Sequence, residues 1–334
     1  MSAVPAPQGT AAPAAPPRRR SAIAIALFLI LALVPLAVQF GLPSHWLTLV
    51  TRAMIFGIAA LSLDLILGIG GLVSFGHAAF IGIGAYATGI MITEGQTEAL
   101  LILPVVLAAC GIFAAITGAV SLRTKGVAFI MITLAFGQMA FFLAQALSAY
   151  GGDDGLTLYE RARLAGLDIL GDRTTFYYVV LAVLGGCYLL VAGIVASRFG
   201  RVLRAARENA TRVTVTGYDV DRVRLVAYVI SGVIAGLSGF LLANQTEFVS
   251  PAFMSWQRSG ELIFMVVLGG VGSLHGAIIG ALAFLFAEDI LAGWTEHWKV
   301  IFGPMIVLFV LLTRGGIVGL AGKLGARMGG RRHG

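Results

Sequence analysis

Residues 197–224 read SRFGRVLRAARENATRVTVTGYDVDRVR, the only long, polar and strongly basic segment that lies between hydrophobic stretches. The segment holds seven arginines, interleaved with Val, Leu and Ala side chains that a helix would gather on one face. We therefore predict a helix over 198–214, with Gly217 as its C-terminal cap. Because loops rich in Lys and Arg face the cytoplasm, this basic segment fixes the orientation of the whole chain.

Three roles suit the basic segment. It could be a solvated loop that only sets topology, a helix lying on anionic lipid, or a helix that docks a cytoplasmic partner. The pattern is compatible with each.

Composition places the chain in a membrane. Of its 334 residues, 58% are hydrophobic and 12% charged, about half the charged fraction of a soluble domain, and the mean hydropathy is +0.93. The net charge of +7 does not indicate nucleic-acid binding, because the basic residues lie in loops between apolar runs. Cys110 and Cys187 fall inside apolar runs and are expected to be packing residues.

We predict an all-α integral membrane protein with about ten transmembrane helices, because the chain has ten apolar runs of about the length that crosses a bilayer. Residues 21–314 would form the membrane domain, with a central loop at 197–224 and an outer loop at 149–173. We expect residues 1–20 to form a disordered cytoplasmic tail and residues 315–334 to form a basic cytoplasmic tail. The runs are 22–40, 47–67, 73–93, 99–121, 126–147, 174–196, 224–243, 259–273, 275–292 and 298–313.

Two glycine-rich turns form a weak internal repeat. GGLVSFGHAAFIG begins at Gly70 and GGVGSLHGAIIG begins at Gly269. In transporters, matching glycine-interrupted segments mark broken helices that line the substrate path, and the run 259–273 is short for a full crossing. The residues placed on the pathway are Asp64, Gly70, Gly71, Ser74, His77, Gln138, Gly269, Gly270 and Ser273.

Few ionisable or amide side chains lie inside the spans. Asp64 could couple transport to protons, but we favour a bond to Arg123, to Lys125 or to the broken backbone at 68–71. His77 and His275 are expected to be neutral hydrogen-bonding residues. Further candidates for the pathway, or for hydrogen bonds between helices, are Gln138, Gln145 and Glu261.

No nucleotide-binding or metal motif is present. Gly322-Lys323 resembles the end of a phosphate-binding loop, but Ile317 and Leu324 stand where Gly and Ser or Thr are required. If ATP drives transport, the chain is not itself an enzyme and the nucleotide binds to another subunit.

Five blocks resemble a known family. Residues 60–89, 133–138, 151–156, 200–239 and 265–281 are similar to the permease subunits of ABC importers for branched-chain amino acids, especially the longer of their two paired permeases. The resemblance implies a multi-pass subunit in the lipid of a bacterial inner membrane, with both termini cytoplasmic. It also implies three kinds of partner: a second permease, two ATPase subunits that bind ATP, and an extracytoplasmic solute-binding protein.

The resemblance also implies roles for single residues. The basic segment would contain the helix that seats in the ATPase, through Arg204, Ala206, Arg207, Ala210 and the turn at Gly217. The family usually carries Asn where this chain has Asp64.

Two alternatives concern function. Relatives on the same scaffold carry urea, amides, aromatic breakdown products or sugars. A stand-alone secondary transporter or channel, with Asp64 and His77 as its coupling site, is the alternative from a different class.

The charge count predicts the topology. Cysteines introduced at Ala3 and Gly330 should react with an impermeant thiol reagent only from the cytoplasm, and one introduced at Asp153 only from outside, since most of the 23 basic residues would then lie inside. Labelling of the Asp153 position solely from the cytoplasm would reverse the orientation.

Overall fold

Each apolar run of the sequence forms a helix in the computed structural model, which describes residues 17–41, 43–163, 166, 170–294, 297–313 and 315–320. Two further helices, α7 (Arg198–Glu208) and α8 (Ala210–Val215), lie in the basic segment. The all-α prediction is confirmed. The helices at the ten predicted spans are α1 (Pro17–Gln39), α2 (His45–Asp64), α3 (Ala78–Thr93), α4 (Ala99–Ser121), α5 (Val127–Ala146), α6 (Arg173–Ala196), α9 (Val220–Thr246), α10 (Trp256–Gly269), α11 (Leu274–Ala292) and α12 (Trp298–Leu312).

The helices differ in length. By length and composition, six in the described part can cross a membrane: α2 with its extension to Ile69, α4, α5, α6, α9 and α11. Shorter apolar helices cover Ile23–Gln39, Ala78–Thr93 and Val300–Phe309. The remaining helix, α10, has 14 residues, about 21 Å of rise, and carries Arg258 and Glu261 as an ion pair. Its predicted shortness is confirmed.

Helix α2 lies at the centre of the bundle. It packs against α6, α9, α10 and α11, and 94% of its most apolar window is buried. A helix that is apolar on every side is stable only when neighbours surround it. By contrast, α4, α5 and α6 each bury less than a third of the corresponding window, and their outer faces carry large apolar side chains such as Ile112, Met139 and Leu189. These faces suit contact with lipid.

Small residues allow close helix packing. A Cβ at Gly84 of α3 would collide with the backbone of Gly236 in α9, and one at Gly280 of α11 would collide with the carbonyl of Met265 in α10. Lipid provides no hydrophobic drive for helices to associate, so this close approach of backbones supplies much of the packing energy.

A short sheet lies at the end of the bundle opposite α7 and α8. Strand β1 (Leu156–Thr157) pairs antiparallel with β2 (Phe248–Val249), with Leu156 opposite Val249. Asp172 caps α6 by accepting hydrogen bonds at 2.8 Å from the backbone N–H and hydroxyl of Thr175. These bonds hold the pKa of the Asp172 carboxyl below its usual value.

Part of the predicted carboxyl-terminal tail packs against the bundle. Residues 315–320, which the sequence assigned to the tail, pack against the second glycine turn, where Gly316 contacts Gly269 and Gly270. Most of the predicted amino-terminal tail, residues 1–16, and the rest of the carboxyl-terminal tail, residues 321–334, lie outside the described residues.

The close packing predicts a contrast between two glycines. Gly84→Leu should lower the free energy of unfolding by about 3 kcal/mol or more, the upper part of the usual range for overpacking, because the new side chain meets backbone that cannot move aside. Gly186→Leu is the matched control, since a Cβ there has nothing within 4 Å. Thermal unfolding and gel filtration in detergent would measure both. Equal behaviour of the two variants would contradict the packing argument.

Candidate functional site

The first glycine turn interrupts a helix. After Asp64, α2 continues as a π-helical turn, Leu65–Ile69. Such turns are rare in proteins overall, and those that occur are often found at functional sites. Gly71 then adopts φ +71°, a conformation that favours glycine, and Leu72 N–H closes the turn on the Ile66 carbonyl at 2.8 Å. The chain does not become helical again until Ala78.

Side chains from two other helices bind the backbone between the turn and α3, and a third helix binds the side chain of His77. Phe75 N–H donates to Thr133 Oγ1 of α5 at 3.2 Å, and Ala78 N–H donates to Ser259 Oγ of α10 at 3.1 Å. His77 Nε2 lies 2.9 Å from Ser62 Oγ of α2, and both side chains are fully buried. Non-helical backbone at membrane depth requires such partners. The predicted broken helix is therefore present in the structure.

The second glycine turn is tighter. Helix α10 ends at Gly269, and helix α11 begins at Leu274. Between them, Gly270 has a φ of +119° and Gly272 has a φ of +79°. Ser273 Oγ lies 3.2 Å from His275 Nε2. The two repeats therefore share a turn at the same end of the bundle, but only the first contains an extended segment.

Asp64 joins the two turns. Its Oδ1 accepts a hydrogen bond from Gly272 N–H at 2.7 Å. Gly68 lies so close to both groups that a Cβ there would collide with them. The side chain is fully buried, and its Oδ2 has no hydrogen-bond partner among the described residues. The predicted partners were wrong. Asp64 binds the backbone of the second turn, rather than its own turn, and in the described part it forms no ion pair with Arg123 or Lys125.

Arg207 of α7 connects the basic segment to the same place. Its guanidinium donates to the Gly68 carbonyl, and its aliphatic stem packs against Gly71. Gly68 therefore contacts Asp64, Gly272 and Arg207 at once. We call this cluster of four residues the turn junction.

The other pathway candidates lie apart from the turn junction. Ser74 is buried beside the hydroxyl of Tyr228, and Gln138 is half-buried on α5 next to Gly137, which packs against Gly76. Gln145 and Glu261 bind neighbours outside this region, Asp153 at 2.5 Å and Arg258 at 2.6 Å. The sequence analysis missed Thr133 and Ser259, whose hydroxyl groups accept from backbone N–H groups of the break, and Ser62, whose hydroxyl binds His77.

The basic segment forms two helices, so the predicted single helix over 198–214 was wrong. Asn209 adopts an extended conformation, φ −155° and ψ 96°, and its side chain accepts from Arg212 N–H at 2.9 Å, which caps α8. Asn is a favoured N-cap residue, and this bond stabilises the break. Gly217, at φ +89°, follows α8 and donates to the Thr214 carbonyl at 2.9 Å. Its predicted place at the end of the helical segment is correct.

Several arginines of the segment bind helix ends. Arg204 donates to the Val195 carbonyl in the last turn of α6 at 2.8 Å, and Arg224 donates to the Ala206 carbonyl in α7 at 3.1 Å. The last carbonyls of a helix lack internal partners and attract cations. These side chains therefore attach the segment to the bundle.

The apolar side chains of the segment divide into two groups. Ala206 is buried with Val213 and Val220, and Ala210 packs at the edge of this small core. Val215 and Tyr218, on either side of the turn glycine, are 84% and 49% exposed. Together they form an exposed apolar tip at the turn. An aromatic residue directly after the turn glycine is the sequence signal that could have identified it.

Comparison with known proteins gives a consistent family. The family described as "Branched-chain amino acid transport system / permease component" matches residues 46–311. The permease protein LivM of the high-affinity branched-chain amino acid transport system of Escherichia coli (strain K12) is 28% identical, over 85% of this chain and 73% of the relative. LivH of Salmonella typhimurium is 26% identical, over 81% and 93%, and BraD of Pseudomonas aeruginosa is 24% identical, over 79% and 91%. No solved structure matches.

The turn junction predicts how substitutions of Asp64 behave. Asp64→Asn keeps an acceptor for Gly272 N–H and should unfold at the parental temperature or above. Asp64→Leu leaves that buried N–H unpaired, which costs about 1–3 kcal/mol. Thermal unfolding of the purified chain measures both, with Asp154→Leu in the exposed loop at 149–173 as the control. A Leu variant at position 64 as stable as the parent would show that the bond contributes nothing.

Proposed function

The chain belongs to the family of permease components of branched-chain amino acid transport systems, and from that premise we propose that it forms half of the pathway of an ATP-driven importer. Its cargo is branched-chain amino acids, and it hydrolyses nothing itself. Two ATPase subunits, a second homologous permease and an extracytoplasmic binding protein complete the machine. The names of the relatives, which are permeases of branched-chain amino acid transport, support this cargo.

The observation that carries the proposal is the contact of Arg207 with Gly68 at the turn junction. In our proposal the ATPase seats on α7 and α8 and pushes them when it binds ATP. The Arg207 contact passes this displacement to both glycine turns, and Asp64 makes the two turns move together. A change at the ATPase is thereby converted into a rearrangement of the broken helices.

The surface offered to the ATPase is the tip formed by Val215, Gly217 and Tyr218. Arg204, Arg207 and Ala206 serve the coupling from within, because they bind helix ends, the turn junction and the small core respectively. A few apolar side chains at the centre of an interface usually carry most of its binding energy. Rim arginines, such as Arg198, assist approach and orientation.

The same arrangement supports an orientation. The basic segment and both glycine turns lie at one end of the bundle, and the short sheet lies at the other. We place the first end, with both termini, in the cytoplasm, and the sheet outside. The pathway is assigned to the broken segment that contains Gly70, Gly71, Ser74 and His77, with Gly269, Gly270 and Ser273 of the second turn and Gln138 of α5 beside it.

A secondary transporter driven by Asp64 and His77 is the weaker proposal. His77 is sealed by its contact with Ser62, and Asp64 is engaged with Gly272. Both groups therefore hold backbone and neighbouring helices in place, a structural use that leaves no open relay between them.

Reconstitution with the partner subunits tests the function. The complex should take up leucine with its binding protein and ATP, and this chain alone should take up none. In the complex, the double variant Val215→Ser/Tyr218→Ala should no longer bind the ATPase, because the exposed apolar contacts are removed. Arg207→Gln should keep the ATPase and lose most uptake, because the contact with Gly68 is broken.

The outcomes separate the parts of the proposal. Arg198→Gln is the matched control and should weaken assembly only mildly, and more at high salt, since exposed charge contacts are screened. Uptake by the chain alone, driven by a proton or sodium gradient, would support the secondary transporter instead. Uptake of urea, amides or sugars but not leucine would keep the machine and replace the cargo. Parental assembly of the double variant would remove the docking tip.

A further inference from the structure

A cavity lies at the end of the bundle opposite α7 and α8, between the first turns of α2 and α6 and the last turn of α9. Its volume is about 220 Å³, and its lining includes Leu47, Thr51, Phe176, Gln245 and Glu247. Two arginines, Arg161 and Arg173, close one side. Sites for drug-sized ligands occupy roughly 300–1,000 Å³, so the ligand that fits this cavity is smaller.

The walls of the cavity carry charges of both signs. Arg161 is fixed in place, since it donates to Glu247 Oε1 at 2.7 Å and to the carbonyls of Leu170 and Gly171 at 2.9 and 3.1 Å. Its charge is matched by Glu247. Arg173 forms no ion pair with any acidic side chain in the described part of the chain. The cavity therefore has one unmatched positive charge, which favours a carboxylate.

Glu247 is held in an unusual conformation. At φ 53° and ψ 26° it is the one residue other than glycine with positive φ in the described part. Such a conformation costs about 1–3 kcal/mol and persists where the surrounding structure enforces it, often at functional sites. Here it turns the end of α9 so that Glu247 lines the cavity beside Gln245, whose Oε1 has no hydrogen-bond partner among the described residues. This side of the cavity thus offers acceptors for an ammonium group.

The floor of the cavity is apolar. Leu47 and Phe176 are both almost fully buried, and the Arg161 guanidinium lies 5.9 Å from the centre of the Phe176 ring. A small apolar side chain could lie on this floor while its polar groups meet the charged walls. The combination of a free guanidinium, a carboxylate with a second oxygen, and an apolar floor matches an α-amino acid with an aliphatic side chain.

We propose that this cavity is a loading site at the outer end of the permease, which binds an aliphatic amino acid zwitterion before it enters the pathway. Arg173 binds the carboxylate and Glu247 binds the ammonium group. The wider groove outside it, lined by Tyr159, Glu160 and Arg163, forms the mouth through which the solute arrives. The inference rests on the proposed function, because it assumes that the cargo is an amino acid and that this end faces outward.

The test uses the complete permease–ATPase complex in nanodiscs without its binding protein, with tritiated leucine as the probe. Leucine should bind saturably. Unlabelled 4-methylpentanoate, which lacks the amine, and 3-methylbutylamine, which lacks the carboxylate, should each compete at least about tenfold more weakly, the loss expected when one charge-assisted contact is removed.

Two variants assign the groups. Arg173→Gln should weaken leucine binding about tenfold or more and leave competition by 3-methylbutylamine unchanged. Glu247→Asn should weaken leucine binding and leave 4-methylpentanoate unchanged; Asn tolerates the left-handed conformation, so the turn should fold. Arg222→Gln is the control, because its ion pair with Asp219 is exposed at the opposite end of the bundle.

The two proposals fail in different ways. If the parent complex imports leucine, but leucine binding without the binding protein is absent or unaffected by both variants, the loading site is wrong and the proposed function stands. If the parent complex imports a different class of solute and no leucine, both proposals fail. Loss of binding in Arg222→Gln to the same degree would show a general effect on the fold and overturn the assignment of Arg173 and Glu247.

Discussion

Backbone that leaves a helix inside a bilayer must find its hydrogen-bond partners within the protein, and this constraint shapes the end of the bundle that holds the glycine turns. Two helices end in glycine turns, and three backbone N–H groups there are bound by side chains of other elements. Asp64 serves Gly272, Thr133 serves Phe75 and Ser259 serves Ala78. These bonds tie α2, α3, α5, α10 and α11 to one another at the points where they are broken. The breaks are therefore held in place by several helices, and they can shift only if those helices shift with them.

The arginines of the basic segment attach it to the bundle. A loop that only set orientation would leave its charges in water. Instead Arg204 binds the end of α6, Arg224 binds the end of α7, and Arg207 binds the first glycine turn. With a small apolar core around Ala206, α7 and α8 form a compact unit fixed to the bundle at three points.

Sequence predicted the features that depend on neighbours along the chain. Hydropathy located the ten helices at the predicted spans, glycine spacing located both turns, and arginine content located the basic segment. It could not provide contacts between distant residues: Asp64 and Gly272 are 208 positions apart, and the inward direction of Ala206 depends on Val213 and Val220. The break at Asn209 was within reach, because Asn is a preferred N-cap, but the continuous apolar pattern favoured one helix. The cavity beside the short sheet was not foreseen, since Arg173 and Glu247 carry no motif and come to one cavity only in the fold.

Helix α2 contributes residues both to the cavity and to the turn junction. Its first turns line the cavity beside the short sheet through Leu47 and Thr51, and its last turn contains Asp64 and leads into the π-helical turn at the junction. From His45 to Ile69 it has 25 residues, about 37 Å of rise. Because it is buried along almost all of this length, close packing prevents it from bending to absorb a displacement at one end. One buried helix therefore connects the turn junction to the cavity beside the short sheet.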